Sequence, residues 1–119
     1  KEANKMVREL DYKLEKKAYE IAKQYNHIED YQASIKAFDN FLLEYPGSQL
    51  REEAQYYRFD SAYKLAVNSV EWKKEQRINK AISYYNTFKR YFKDSEFLEE
   101  MTENEKVLEE LLEQYQTKS

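Results

Sequence analysis

Residues 31–48, YQASIKAFDNFLLEYPGS, and 78–95, INKAISYYNTFKRYFKDS, are two copies of one unit. Ile35 lies over Ile82, Phe41 over Phe88 and Ser48 over Ser95. Ser34/Ala81, Phe38/Tyr85, Asp39/Asn86 and Tyr45/Phe92 are conservative pairs. The match runs past the turn, with SQLREEA (48–54) over SEFLEEM (95–101). Each copy ends one helix, turns and starts the next. Its apolar face can be buried only against a neighbouring copy, so the expected fold is an all-α stack of helical hairpins. Such a stack offers a long shaped surface rather than a closed pocket, and the function class it favours is binding.

Five helices follow from the spacing of apolar residues. The first is expected over residues 3–26, on a stripe of Met6, Leu10, Leu14, Ala18, Ile21, Ala22 and Tyr25 spaced by threes and fours. Asn26-His27 breaks it, and Asp30 is placed to cap the second helix over 31–44. That helix turns Tyr31, Ile35, Phe38, Phe41, Leu42 and Tyr45 to one side. Pro46 stops it, because the residue before a proline is pushed out of the α region, and Gly47 turns the chain. Ser48 is placed to cap a third helix, and Glu52 and Glu53 suit its positive end. The third helix carries two stripes, Leu50/Ala54/Tyr57/Ser61/Leu65 and Tyr56/Phe59/Tyr63/Ala66/Val70, so neighbours are expected on both sides. Residues 71–77, EWKKEQR, form a charged connector or a helix extension. The fourth helix, 78–92, repeats the second, with Lys93-Asp94 where the first copy has Pro46-Gly47. The fifth, 96–116, turns Phe97, Met101, Leu108, Leu111, Leu112 and Tyr115 inward. Its other flank is acidic (Glu99, Glu100, Glu103, Glu105, Glu109, Glu110, Glu113), as a helix with nothing stacked beyond it requires.

Composition narrows the function. The 119 residues suit a single domain, and one Gly and one Pro leave little material for β-turns. Aromatic residues make up 16%, twelve of them Tyr, which argues against disorder. The net charge is −3 with both signs mixed, so no basic stripe offers itself to nucleic acid. The absence of Cys excludes a thiol nucleophile and most structural zinc sites. No stretch approaches the roughly 20 apolar residues of a membrane span. The lone His27 falls at a helix end without catalytic partners, and no phosphate loop or nucleophile elbow is present. The expectation is a non-enzyme with no cofactor, no metal and no catalytic residue. The chain opens at Lys1, already amphipathic, and is expected to be part of a longer protein. The first helix should then keep an apolar face that is exposed or paired with another chain.

Small residues where helices cross suggest the tetratricopeptide pattern, whose period is about 34 residues. With Pro46 as the closing proline, Ala18, Ile21, Ala22 and Tyr25 take the signature positions of a first helix, and Ser34, Phe38 and Phe41 those of a second. Ala22 and Ser34 are the expected points of close approach. The expected units are 3–47, a longer 48–94 and a capping helix 95–117. Four pieces together carry a more specific likeness: the FLLEYPGSQLREEA turn, the tyrosine-rich YYRFDSAYKLAVNS helix, the charged connector and the RYFKDSEF ending. Over about residues 14–115 the chain resembles the C-terminal tetratricopeptide half of the BamD lipoprotein family of the outer-membrane β-barrel assembly machinery, especially its Bacteroidetes forms. The resemblance implies a protein lipid-anchored to the outer membrane and facing the periplasm, in contact with the membrane only through that anchor. Its implied partners are the periplasmic POTRA domains of BamA, other assembly subunits and unfolded outer-membrane proteins.

The candidate partner-binding residues fall in two groups. By the tetratricopeptide count, Lys16, Tyr19, Lys23 and Asn26 face the concave groove, where Lys, Tyr and Asn could grip an extended peptide. Tyr56 and Tyr63 of the third helix are less clearly core and join them. The second group is Trp72, a single Trp among charges, with Lys73, Lys74 and Arg77 nearby to add charge complementarity. Trp72 is expected to staple against the third helix; the other role open to it is an exposed anchor for a partner. A co-chaperone module clamping a C-terminal carboxylate through Lys16, Lys23 and Asn26 is an alternative, as is another envelope adaptor with a different client.

Overall fold

The computed structural model describes the backbone of residues 2–118 and the side chains of residues 5–116. Lys1 and Ser119, the ends of the expected domain, lie outside the described residues. Five helices and no strand appear among them: α1 (Glu2–His27), α2 (Tyr31–Glu44), α3 (Arg51–Val67), α4 (Glu71–Tyr91) and α5 (Leu98–Lys118). Each helix packs on the next through a short turn, and α1, α3 and α5, the first helices of successive hairpins, also touch in series. This is the all-α, tetratricopeptide-like stack that the repeat implied. It is elongated, 63 × 28 × 19 Å. None of the described helices is long and apolar enough to cross a membrane.

The two inter-hairpin turns are the same turn in different residues. Tyr45 N–H donates to Phe41 C=O (2.9 Å) and Phe92 N–H to Phe88 C=O (2.8 Å). Ser48 N–H then reaches Tyr45 C=O, and Ser95 N–H reaches Phe92 C=O. The closing residues share a backbone shape, φ −124° and ψ 62° at Tyr45 against φ −129° and ψ 61° at Phe92. Gly47 has no positive φ, so the turn needs no glycine and Lys93-Asp94 can build it equally well. Ser48 is not the N-cap of α3. Its hydroxyl accepts from Leu50 N–H (3.0 Å) inside the turn and donates to Glu15 of α1 (2.8 Å). Ser95 repeats both bonds, accepting from Phe97 N–H (3.1 Å) and donating to Glu52 of α3 (2.6 Å). Each turn is thereby tied back to the first helix of its own hairpin.

The first connection works differently. Asp30 N–H bonds Tyr25 C=O and Glu29 N–H bonds Asn26 C=O, with Glu29 left-handed at φ 65°. This double bond is a Schellman ending. Asp30 then caps α2 as expected, its carboxylate accepting from Ala33 N–H at 3.2 Å.

The core lies on both sides of α3. One cluster gathers Tyr19, Ala22, Phe38, Phe41 and Ala54 between α1, α2 and α3. The other joins Phe59, Ala62 and Ala66 to Ile78, Ala81, Tyr84, Tyr85 and Phe88 of α4 and to Met101 and Leu108 of α5. The two stripes of α3 serve these two clusters, though Val70 lies past the helix and is exposed. Of the two readings of 71–77, connector or helix extension, the structure has the second: α4 starts at Glu71. α1 keeps an exposed apolar face, as expected, but Ile21 and Tyr25, expected at signature packing positions, lie on it. Met6 is 69% exposed, and Leu10, Leu14, Ile21 and Tyr25 are also exposed, while Ala22 packs and Ala18 is half-buried. α1 has neighbours on one side only, and the side that packs carries its small residues, because they allow α2 close: Ser34 Oγ donates to the Ala22 carbonyl at 3.3 Å.

Candidate functional site

α3 is covered by α2 and α4 at its back and flanked by α1 and α5, which leaves one side of the three first helices open. The tyrosines of α3 stand there. Tyr56 lies on the α5 side of α3, its ring stacked on Phe97 at 4.3 Å and set edge-on to Tyr57 at 5.0 Å. Its hydroxyl donates to Glu100 of α5. Tyr63, two helical turns further along, stacks on Phe59 at 6.2 Å. Both are half-buried, so each ring keeps an accessible edge while its other side is held by the fold. Lys16 is exposed on α1, and Lys23 holds its ammonium 5.3 Å from the Tyr57 ring centre and 6.0 Å from that of Tyr19. Lys23 and Tyr56 therefore meet around the Tyr57 ring, with Lys16 two turns from Lys23 on α1 and Tyr63 two turns from Tyr56 on α3, each on the same side of its helix.

Two expected groove residues lie beneath that surface instead of on it. Tyr19 is 3% exposed. It packs edge-on against Phe38 (6.1 Å) and Tyr57 (6.5 Å), and its hydroxyl donates to Glu53 of α3 at 3.2 Å. Asn26 is 7% exposed. Its amide donates to Asp60 (3.0 Å) and to Ser61 Oγ (2.9 Å), and Ser61 Oγ shares a further bond with Ser34 Oγ (2.8 Å). Lys64 completes this junction with Nζ 3.0 Å from Asp60. A buried amide and carboxylate satisfied in this way hold α1, α2 and α3 in register, and neither is free to take a ligand. The register of α1 on α3 decided both outcomes, and it cannot be obtained from the count within one hairpin.

Electrostatics follow the same contacts. Burial raises the Tyr19 hydroxyl well above the ordinary tyrosine range, with the Glu53 charge adding to it. Tyr56 is raised likewise, by burial first and then by its bond to Glu100. Burial lowers the Lys64 ammonium, but the hydrogen bond and charge of Asp60 raise it by more. Both tyrosines therefore stay neutral, as donors to carboxylates. They offer no activated nucleophile; this surface can pack and hydrogen-bond.

Trp72 and Arg77 stand apart from this surface, near the start of α4. Trp72 does not staple: its side chain is 78% exposed. Position 72 falls on the side of α4 opposite Ile78, Ala81 and Tyr85, which fill the core. Arg77 is half-buried and donates from Nη1 to Ser69 Oγ at 2.7 Å. Lys73 was expected beside them; the sequence count missed Lys80 as a companion. With Trp72, Gln76 and Arg77 they line one shallow depression. The signal was the spacing 73, 76, 77, 80, which becomes visible only once α4 is known to begin at Glu71. Also missed were the cation–ring pairs further along α4, Arg58 over Tyr84 at 4.1 Å and Arg51 over Tyr91 at 5.5 Å. Arg58 is held in place by an ion pair with Asp39 of α2 at 2.8 Å. Among the described residues no group of three or more His, Cys, Asp or Glu side chains is placed to hold a metal ion.

Comparison with known proteins agrees with this architecture. No curated protein matches the chain. The model of one family, YfiO, described as outer membrane lipoprotein, matches residues 3–118. A match of that extent spans all five helices and both surfaces. The chain belongs to the YfiO family of outer membrane lipoproteins, the BamD-like family.

Proposed function

We propose that the chain is a non-catalytic protein–protein interaction scaffold of outer-membrane β-barrel assembly. In this reading it is a single tetratricopeptide-type domain with hairpins at 3–47 and 48–94 and a capping helix at 95–117. It corresponds to the C-terminal half of a BamD lipoprotein of the Bacteroidetes kind. The full protein is held at the periplasmic face of the outer membrane by a lipid anchor outside this sequence. Its partners are the POTRA region of BamA, accessory subunits and unfolded outer-membrane proteins, with no nucleic acid and no cofactor.

The observation that carries the reading is the unbroken family match over residues 3–118. The open side of α1, α3 and α5 supports it. Half-buried Tyr56 and Tyr63 and the lysines Lys16 and Lys23 supply rigid rings and mobile donors, a mixture suited to gripping a partner segment. A carboxylate clamp is less well supported, because Asn26, one of its three expected donors, is committed to Asp60 and Ser61.

The test is co-purification of the full-length protein with BamA from envelope extracts. Association is the expected result, and Tyr56→Ala together with Tyr63→Ala should weaken it. No association with intact upstream sequence present removes this reading in favour of a different envelope client.

A further inference from the structure

The depression at the start of α4 has the properties of a second docking site. Trp72 is the only tryptophan of the chain, and an exposed indole costs favourable burial that a partner can restore. Lys73 Nζ lies 4.6 Å from its ring centre, and Arg77 is fixed by Ser69. One turn further on, Lys80 Nζ lies 5.5 Å from the ring centre of Tyr84. The ion pairs among the described residues are Arg58–Asp39 and Lys64–Asp60, so among the described residues no carboxylate stands within pairing distance of Lys73, Arg77 or Lys80. Three cations on one helical face with no ion pair among the described residues, beside an exposed indole, stand out in a chain of net charge −3.

We infer that Trp72, Lys73, Arg77 and Lys80 form a docking site for an acidic segment of a partner protein, one that lays an apolar side chain on the indole and carboxylates on the three cations. The inference deepens the scaffold reading and rests on it. An anionic membrane surface is the poorer fit. Glu71 and Glu75 flank the site on α4. Tyr115 Oη of α5 donates to the Glu71 carbonyl beside them (2.7 Å). A flat anionic surface would meet those carboxylates, whereas a single peptide segment can avoid them.

Trp72 reports on the site directly through its fluorescence. The probes are a synthetic alternating glutamate–leucine peptide, its glutamine–leucine counterpart and phosphatidylglycerol vesicles. The expected result is a saturable blue shift with the glutamate peptide that weakens as salt rises. The glutamine peptide should bind about tenfold more weakly, and so should the glutamate peptide to a Lys73→Glu, Lys80→Glu variant whose circular dichroism matches the parent. Equal binding of both peptides, an unaffected variant, a shift with vesicles only, or no shift at all overturns the inference. Co-purification with BamA separates the two readings. Loss of BamA binding by the parent chain removes the scaffold reading. BamA binding by parent and variant alike, with no peptide effect, removes only the α4 site.

Discussion

Ser34 and Ser61 are small polar residues at the place where α1, α2 and α3 come closest, and both are fully buried. Their two hydroxyls, the Asn26 amide and the Asp60 carboxylate satisfy one another, so the junction is specific as well as tight. Asn26→Leu leaves Asp60 and Ser61 each short of a donor. It should destabilise the chain by about 1–3 kcal/mol in chemical denaturation. Ala22→Leu forces a larger side chain against the Ser34 contact and should cost about 1–3 kcal/mol through overpacking; a neutral melt would mean that α1 packs in another register. Gly47 is the opposite case. It has no positive φ, and an added Cβ meets nothing within 4 Å. Gly47→Ala should therefore stabilise by about 0.4–1 kcal/mol, by restricting the unfolded chain. A loss of stability would show that the turn needs a glycine after all.

At the scale of the helix, α5 carries the clearest pH dependence. Glu105 is raised from 4.5 to about 7, by burial first and then by its hydrogen bond and like charge with Glu109, against the opposing charges of Lys89 and Lys106. Between these two values the folded chain holds a proton that the unfolded chain has lost. The contribution is therefore fully present below pH 4.5 and is lost as pH rises through 7. Denaturation midpoints of the parent should fall across that window relative to Glu105→Gln, and parallel curves would sink the assignment. α2 shows how well a helix can be read from its ends. Asp30 and Pro46 bracket it, and its bounds are those expected. α4 shows the contrary. Its first turns hold Trp72 among charges, with no capping side chain at Val70, so nothing local marks them as helix. They are helical because the segment continues the register that buries Ile78 and Ala81.

Across the whole molecule, burial rises from α1 toward α3. Residues 5–14 of α1 are exposed throughout, while α3 packs on four other helices. Amides in the first half of α1 should exchange with solvent orders of magnitude faster than those around Phe59 and Ala62, and uniform protection along α1 would show that its apolar face is covered. The repeat made the stack legible, because two copies of a one-faced hairpin have no other way to bury Phe38, Phe41, Tyr85 and Phe88. Helix number, the double-sided α3 and the acid-flanked α5 follow from the 3.6-residue period alone, a local property of the chain. Which side of α1 packs does not follow from it. The large apolar residues of the longest stripe, Met6, Leu10, Leu14, Ile21 and Tyr25, face out, and the narrower strip with Tyr19, Ala22 and Asn26 faces in. Contacts between residues 34 or 35 apart, Tyr19 with Glu53 and Asn26 with Asp60 and Ser61, made that choice. The same long-range packing turned Tyr19 and Asn26 from expected binding residues into structural ones and left Trp72 outside. Periodicity states which residues share a face; only the meeting of helices states which face is covered.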